Sequence, residues 1–229
     1  MYKAVLFDAY GTLLDVDSAA ANLAASGAYP SLGEVWPDLA ALWRSRQLNY
    51  SWLRSLSGTY QPFWEITKDA LDFAMETLGL DDQSMRKDLL SLYEKLDAYG
   101  EVSVMLDALE KVGIPAAVLS NGNKDMLEKA FSAAGLSSRL TALLSVEDVG
   151  IFKPSPAVYE LGSTHFDAKP SEILFVSSNG WDAAAAGLFG FHTVWVNRSG
   201  APVERLPTVP DHIASDLTYV ATHLLEIAG

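Results

Sequence analysis

Four short, unbroken apolar runs punctuate the chain: Ala4–Phe7, Ala116–Leu119, Ile173–Val176 and Thr193–Val196. Runs of this length without polar alternation are the pattern of parallel strands covered on both faces. Ala142–Val146 is a weaker fifth candidate. Each of the four stops abruptly in small or polar residues: Asp8-Ala9-Tyr10-Gly11-Thr12, Ser120-Asn121-Gly122, Ser177-Ser178-Asn179-Gly180 and Asn197-Arg198-Ser199-Gly200. Between them, apolar positions recur at helical spacing over Val102–Lys111, Asp125–Ala134 and Ala157–Thr164. The alternation predicts an α/β fold, a Rossmann-like, doubly wound parallel sheet. In such sheets ligands bind beyond the carboxyl ends of the strands, so the four polar segments should share one cleft.

From about Asp15 to Ala98 the alternation breaks. Helical patterns run over Leu39–Leu56, Phe63–Leu78 and Gln83–Leu96, with Gly79 as a stop signal and Asp81-Asp82 as a candidate cap for the last. This predicts a helical cap domain, residues 15–98, inserted into an α/β core domain made of residues 1–14 and 99–229. Ala201–Pro210 is rich in proline and reads as loop, and His212–Ala228 should return to the core and end in a helix.

Composition narrows the chemistry. The 229 residues include no cysteine, which excludes disulfides, zinc–thiolate sites and a cysteine nucleophile. The formal charge of −13 works against binding nucleic acid or an anionic membrane. No apolar stretch approaches the roughly 18 residues of a membrane span, and the start lacks the length of a signal peptide. The expectation is a soluble, cytoplasmic protein. A small anionic substrate would need local positive charge, which singles out individual Arg and Lys residues.

Asp8 is the first candidate. A carboxylate at the tip of a buried strand is costly unless something uses or compensates it. Alone it would pass for a turn former. Taken with the other strand ends it forms a set. Leu6-Phe7-Asp8-Ala9-Tyr10-Gly11-Thr12-Leu13 resembles the first motif of the haloacid dehalogenase superfamily. Leu119-Ser120-Asn121-Gly122, Lys153-Pro154 and Ser177-Ser178-Asn179-Gly180-Trp181-Asp182 resemble the second, third and fourth, in order. The helical stretch Leu42-Trp43-Arg44-Ser45-Arg46-Gln47-Leu48 and its continuation to Leu56 resembles the cap of the L-2-haloacid dehalogenases, the type II family.

The resemblance implies an (S)-2-haloacid dehalogenase. Asp8 would be the nucleophile and form an aspartyl ester that water then hydrolyses. Thr12 would hold it, Lys153 would keep its carboxylate ionised, Arg44 would accept the departing halide, and Ser177 would belong to the same catalytic set. Asn179 and Asp182 would bind and activate water, with Asp182 equally able to cap the alanine-rich helix it begins. Ser120, Asn121 and Ala9 would meet the substrate carboxylate or line the site. Tyr10, Leu48, Phe63 and Trp181 would form the apolar wall, with Tyr159 at the substrate, packing beside the lysine or bonding through its hydroxyl. Ser45, in the substrate pocket on this resemblance, stands where some relatives carry a larger polar residue, which would either enlarge the pocket or rewet it. Arg46 and Arg54 read as a solvated face. The implied partner is a small 2-haloalkanoate such as haloacetate or 2-chloropropanoate, with no cofactor, no metal, and a homodimeric assembly.

Two rivals stay open at this stage. The first is a Mg²⁺-dependent phosphatase of the same superfamily. Against it, Tyr10 replaces the second Asp of the phosphatase motif, and Ser177 and Ser178 replace acids that would complete an octahedral oxygen shell. The second is a binding protein that kept the fold and lost the chemistry. Against it, Asp8, Lys153 and Asp182 are all present.

Overall fold

The first strand, β1 (Ala4–Phe7), is wholly buried, and its neighbours on both sides are parallel. The computed structural model describes residues 2–16 and 18–228. Met1, Asp17 and Gly229, which fall within the two expected domains, lie outside the described residues. The strands β2 (Ala116–Ser120), β3 (Ala142–Ser145), β4 (Ile173–Ser177), β5 (His192–Val196) and β6 (His212–Ala214) complete one parallel sheet in the order β3-β2-β1-β4-β5-β6. The chain winds outward from β1 through β2 to β3. It then crosses back to β4 on the other side of β1. The crevice opened by that reversal lies beyond the carboxyl end of β1, which is where Asp8 stands.

Register carries the polar strand ends to one level. Phe7 pairs with Val118 on one side and Val176 on the other, so the next residue, Asp8, falls level with Leu119 and Ser177. The apolar side chains beneath them are fully buried. At roughly 1.5–3 kcal/mol for each buried Val, Leu, Ile or Phe, these strands supply a rigid floor for the site.

The helices flanking the sheet are α5 (Val102–Val112), α6 (Lys124–Ala133), α7 (Pro156–Phe166), α8 (Gly180–Phe189) and α9 (Thr218–Ala228). The segment between β1 and α5 holds α1 (Ser18–Ala25), α2 (Trp36–Ser57), α3 (Phe63–Thr77) and α4 (Gln83–Tyr93), with no named strand among its described residues. Asp82 caps α4, its carboxylate accepting from the N–H groups of Ser84 and Met85 at 2.8 and 3.0 Å. The left-handed glycine Gly58 ends α2. The two ends of the segment lie side by side: the Asp15 N–H donates to the Asp97 carbonyl (2.8 Å) and the Tyr99 N–H to the Leu13 carbonyl (3.1 Å).

Several elements differ from the sequence expectation, α4 among them, which ends at Tyr93 rather than Leu96. Helix α2 begins at Trp36, three residues before the expected Leu39, because Pro37 sits in its first turn, where a missing N–H costs nothing. Helix α1 and the edge strand β6 were not expected at all. No helix among the described residues is long and apolar enough to cross a membrane.

Candidate active site

Asp8 follows directly on β1, and its own N–H continues the sheet by donating to the Val176 carbonyl at 2.9 Å. The residue is 7% exposed. A carboxylate so enclosed needs donors, and four side chains supply them. The Asn179 amide donates to Oδ2 at 2.8 Å, and the hydroxyls of Thr12 and Ser177 each lie 3.4 Å from the same oxygen. Lys153 Nζ lies 3.2 Å from Oδ1.

Each donor is itself held. Thr12 accepts from the Ser178 N–H at 2.8 Å, which fixes its hydroxyl oxygen. Ser177 accepts from the Asn179 N–H at 3.1 Å, which closes the loop after β4. The Trp195 indole N–H, on β5, donates to the Ser178 carbonyl at 3.1 Å. Arg198, just past β5, donates to the Thr12 carbonyl at 3.1 Å while pairing with Glu101 at 2.5 Å and lying over the Tyr99 ring. Ser178, Trp195 and Arg198 are supporting residues that sequence reasoning did not single out. Ser178 and Arg198 did stand in the polar strand-end segments, but nothing in their spacing shows whom they reach.

Lys153 is 1% exposed and joins two acids. Its ammonium lies 2.7 Å from Asp182 Oδ2 as well as 3.2 Å from Asp8. Burial works against its charge, but the two carboxylates, Asp182 ahead of Asp8, outweigh it and hold the lysine pKa above its ordinary value. The cluster therefore has two acids and one fixed cation. Burial pushes the Asp182 pKa above the usual carboxylate range; Lys153 pulls against that rise and the charge of Asp8 adds to it. The other Asp182 oxygen accepts from the Tyr159 hydroxyl at 2.8 Å. Burial, and then the charge of Asp182, hold the Tyr159 phenol well above its ordinary pKa, so it stays a donor.

The cleft above Asp8 is small, about 10 Å³, which is room for about one water. Asp8, Lys153, Ser120, Asn121 and Asn179 line its polar side. Tyr10, Phe63, Leu48 and Trp181 form the apolar side, with Arg44 entering from α2. Tyr10 packs so closely on Gly122 that a Cβ there would meet its ring at 2.8 Å, so only glycine fits this turn. The Lys153 N–H donates to Asn121 Oδ1 at 2.9 Å, which turns the Asn121 NH₂ the other way. Ser120 Oγ accepts from the Gly122 N–H at 3.1 Å and keeps its own proton to donate. Arg44 has no ion pair among the described residues.

Ten of the expected residues thus meet at the cleft. Thr12, Ser177 and Asp182 stand behind it, fully buried. Tyr159 and Ala9 are also fully buried and do not reach the lining. Tyr159 supports Asp182, and the Ala9 carbonyl receives the N–H groups of Thr12, Leu13 and Leu14. Ser45 is exposed and points away from the cleft, because one residue along a helix turns the side chain by roughly 100° from its neighbour. Arg46 and Arg54 are half-buried rather than solvated: Arg46 lies 4.1 Å over the Phe73 ring and Arg54 pairs with Asp69 at 3.6 Å. Among the described residues there is no group of three or more His, Asp and Glu side chains able to hold a metal ion.

Comparison with known proteins places the whole chain. Residues 2–190 match the family model of haloacid dehalogenase-like hydrolases. The chain is 42% identical over 226 residues to (S)-2-haloacid dehalogenase 1 of Pseudomonas sp. (strain CBS-3), covering 98% of this chain and 97% of that one. It is 44% identical over 203 residues to (S)-2-haloacid dehalogenase 4A of Burkholderia cepacia, covering 88% and 86%. The solved L-2-haloacid dehalogenase of Xanthobacter autotrophicus with chloropropionic acid covalently bound superposes with a TM-score of 0.86 at 36% identity, covering 98% of this chain and 99% of that one. The match runs through the α/β layer and the helical segment alike, and on that ground the chain belongs to the (S)-2-haloacid dehalogenase family of haloacid dehalogenase-like hydrolases.

Proposed function

We propose that this protein hydrolyses short (S)-2-haloalkanoates to (R)-2-hydroxyalkanoates through an ester on Asp8, without a metal ion. One observation carries the reading. A buried, multiply hydrogen-bonded carboxylate faces a small cleft into which an arginine with no ion-pair partner among the described residues enters from the helical segment.

The steps follow from the groups in place. The substrate carboxylate is received by the Ser120 hydroxyl and the Asn121 NH₂. Asp8 attacks C2 from the side opposite the halogen. The new carbon–oxygen bond forms as the carbon–halogen bond breaks, and the halide leaves with the bonding electrons toward Arg44. Halide needs no proton on leaving, so Tyr10 in place of a second acid loses nothing. Water then adds to the side-chain carbonyl carbon of Asp8. Asn179, Thr12, Ser177 and Lys153 surround that group and stabilise the charge on its oxygen. With Asp8 esterified, Asp182 is the remaining carboxylate of the cluster, and its raised pKa suits it to take the proton from water. Collapse of that adduct breaks the ester bond, Asp182 returns the proton to the leaving oxygen, and the hydroxy acid is released with C2 inverted once.

The donor set argues against Mg²⁺. A divalent ion bridging Asp8 and Asp182 would have to occupy the position of the Lys153 ammonium, which already binds both acids. Residues 15–98 act, on this reading, as a cap domain over a core of residues 1–14 and 99–229. With room for only about one water, the cleft must open at the cap for substrate to enter.

A single turnover in heavy-oxygen water, with enzyme in excess over (S)-2-chloropropanoate and EDTA present, tests the proposal. The expected result is chloride release, an unlabelled product hydroxyl, and label in the peptide carrying Asp8. A labelled first-turnover product with an unlabelled peptide would show that water attacks C2 directly. Loss of turnover on chelation, restored by Mg²⁺, would overturn the metal-free route.

A further inference from the structure

The cleft is not the only cavity that the side chain of Trp181 borders. Its other side borders an apolar groove of about 420 Å³. That groove is lined by Trp52, Pro154, Ala185, Leu188, Phe189 and Leu206, among others, and opens to the surface at Leu188. Trp181 is the residue common to both linings.

Helix α2 runs past the same boundary. Arg44, Leu48 and Trp52 are four residues apart, so they form one stripe with a rise of about 6 Å at each step. The first two line the cleft and the third lines the groove. Trp52 meets Trp181 edge to face, with ring centroids 5.4 Å apart at 87°. The remaining apolar walls of the cleft, Tyr10 and Phe63, are almost fully buried, so they offer no outlet. Trp181 and Trp52 are only half-buried. The Trp52 indole N–H is buried without a hydrogen-bond partner among the described residues. A stranded donor is unfavourable, so the position uses the bulk of the ring rather than its polar atom.

We infer that Trp52 and Trp181 form a partition that limits the chain length of the substrate, with Trp52 the positioning residue that braces Trp181. This rests on the dehalogenase reading given above. Once the cleft has opened to admit substrate, the space on the near side of Trp181 takes a methyl group on C2. A longer alkyl chain at C2 runs into Trp181. With the partition displaced, that chain passes into the apolar groove, where each buried methylene is worth about fourfold in affinity.

The test uses the full chain and two variants, Trp52→Ala and Trp52→Phe. The readout is the ratio of kcat/KM for (S)-2-bromooctanoate to that for (S)-2-bromopropanoate. The wild type should favour the short acid. Trp52→Ala should raise the ratio at least tenfold, whatever it does to the absolute rates. Trp52→Phe keeps an aromatic brace and removes the stranded donor, so it should preserve the wild-type preference. A merely structural role would lower both rates in parallel. An unchanged ratio in Trp52→Ala, or a wild type that takes both acids equally, overturns the inference. Calorimetric binding of octanoate and propanoate, which needs no turnover, runs alongside. A tenfold relative gain for octanoate in Trp52→Ala supports the partition even if no halide is released, an outcome that would instead refute the dehalogenase reading. No relative gain there refutes the partition.

Discussion

The two sides of the cleft are built differently. On the sheet side every functional group is fastened. Asp8 is held by Thr12, Ser177, Asn179 and Lys153; Ser178 holds Thr12, Asn121 and Asp182 hold Lys153, and Tyr159 holds Asp182. On the helical side Arg44, Leu48 and Phe63 enter as separate side chains. Contact between the sides runs through a few links: the Trp64 N–H to Asn123 at 3.2 Å, the Phe152 N–H to Ser55 at 3.2 Å, and ring contacts such as Phe63 with Phe152. The difference matches a division of labour. A nucleophile benefits from donors fixed before the reaction begins. A wall that must part to admit substrate can be joined only by contacts that break cheaply.

The sharpest way to break this comparison is at the fastened side. Asp8→Asn keeps the shape and removes the proposed nucleophile, so kcat should fall by at least ~10⁴-fold with the fold intact. Retained turnover in a rapid-quench assay would show that Asp8 is not the attacking group. Next comes Lys153→Met, which leaves two buried carboxylates without their cation. Breaking a buried ion pair typically costs about 3–5 kcal/mol, so urea denaturation should show a loss of that order together with loss of activity. A stability loss under ~1 kcal/mol would mean that the cluster relaxes by taking up a proton.

On the open side the effects should be smaller and confined to rate. Arg44→Ala should lower kcat on the order of 10²-fold, since the proposed electrostatic partner of the leaving group is lost, with Tm unchanged because Arg44 has no ion pair among the described residues. Arg46→Ala should leave kcat alone and remove its contact with Phe73. Equal rate losses in the two variants would show that the wrong arginine is assigned to the halide.

The smallest effect lies far from the cleft. Burial, and then the neighbouring His212, hold the His223 pKa below its ordinary value. The unfolded chain therefore binds that proton more readily than the folded one. Stability from this group is present above about pH 6.5 and declines as pH falls through that value. His223→Gln should flatten the fall in Tm between pH 7.5 and 5.5 slightly and leave activity unchanged. A steeper fall would mean that the ring is favoured as the cation.

The sheet side was also the more legible one. Strands buried on both faces must be continuously apolar, so β1, β2, β4 and β5 declared themselves, and the polar residues that ended them marked the cleft. Edge strand β6, only three residues with one of them buried, has no such constraint. Helix α1 is small-residue rich on every face and shows no stripe. On the helical side the spacing of Arg44 and Leu48 could be read, but Ser45, expected in the substrate pocket, is exposed and does not line the cleft, since its orientation depends on which face of α2 meets the core. Tyr159 was expected at the substrate and lies instead behind Asp182, because α7 turns that position into the interior.

By itself the sequence determined the α/β architecture, the order of the four motifs and the residue types available for nucleophilic attack. These follow from local patterns: periodicity, strand ends and the chemistry of single side chains. Only the tertiary structure decided that Lys153 bridges Asp8 and Asp182, that Arg198 braces Thr12 across the sheet, and that Trp52 meets Trp181 where two cavities adjoin. Such contacts join residues far apart in the chain, and their geometry is set by how helices dock on the sheet, which no local pattern of hydrophobic and polar positions records.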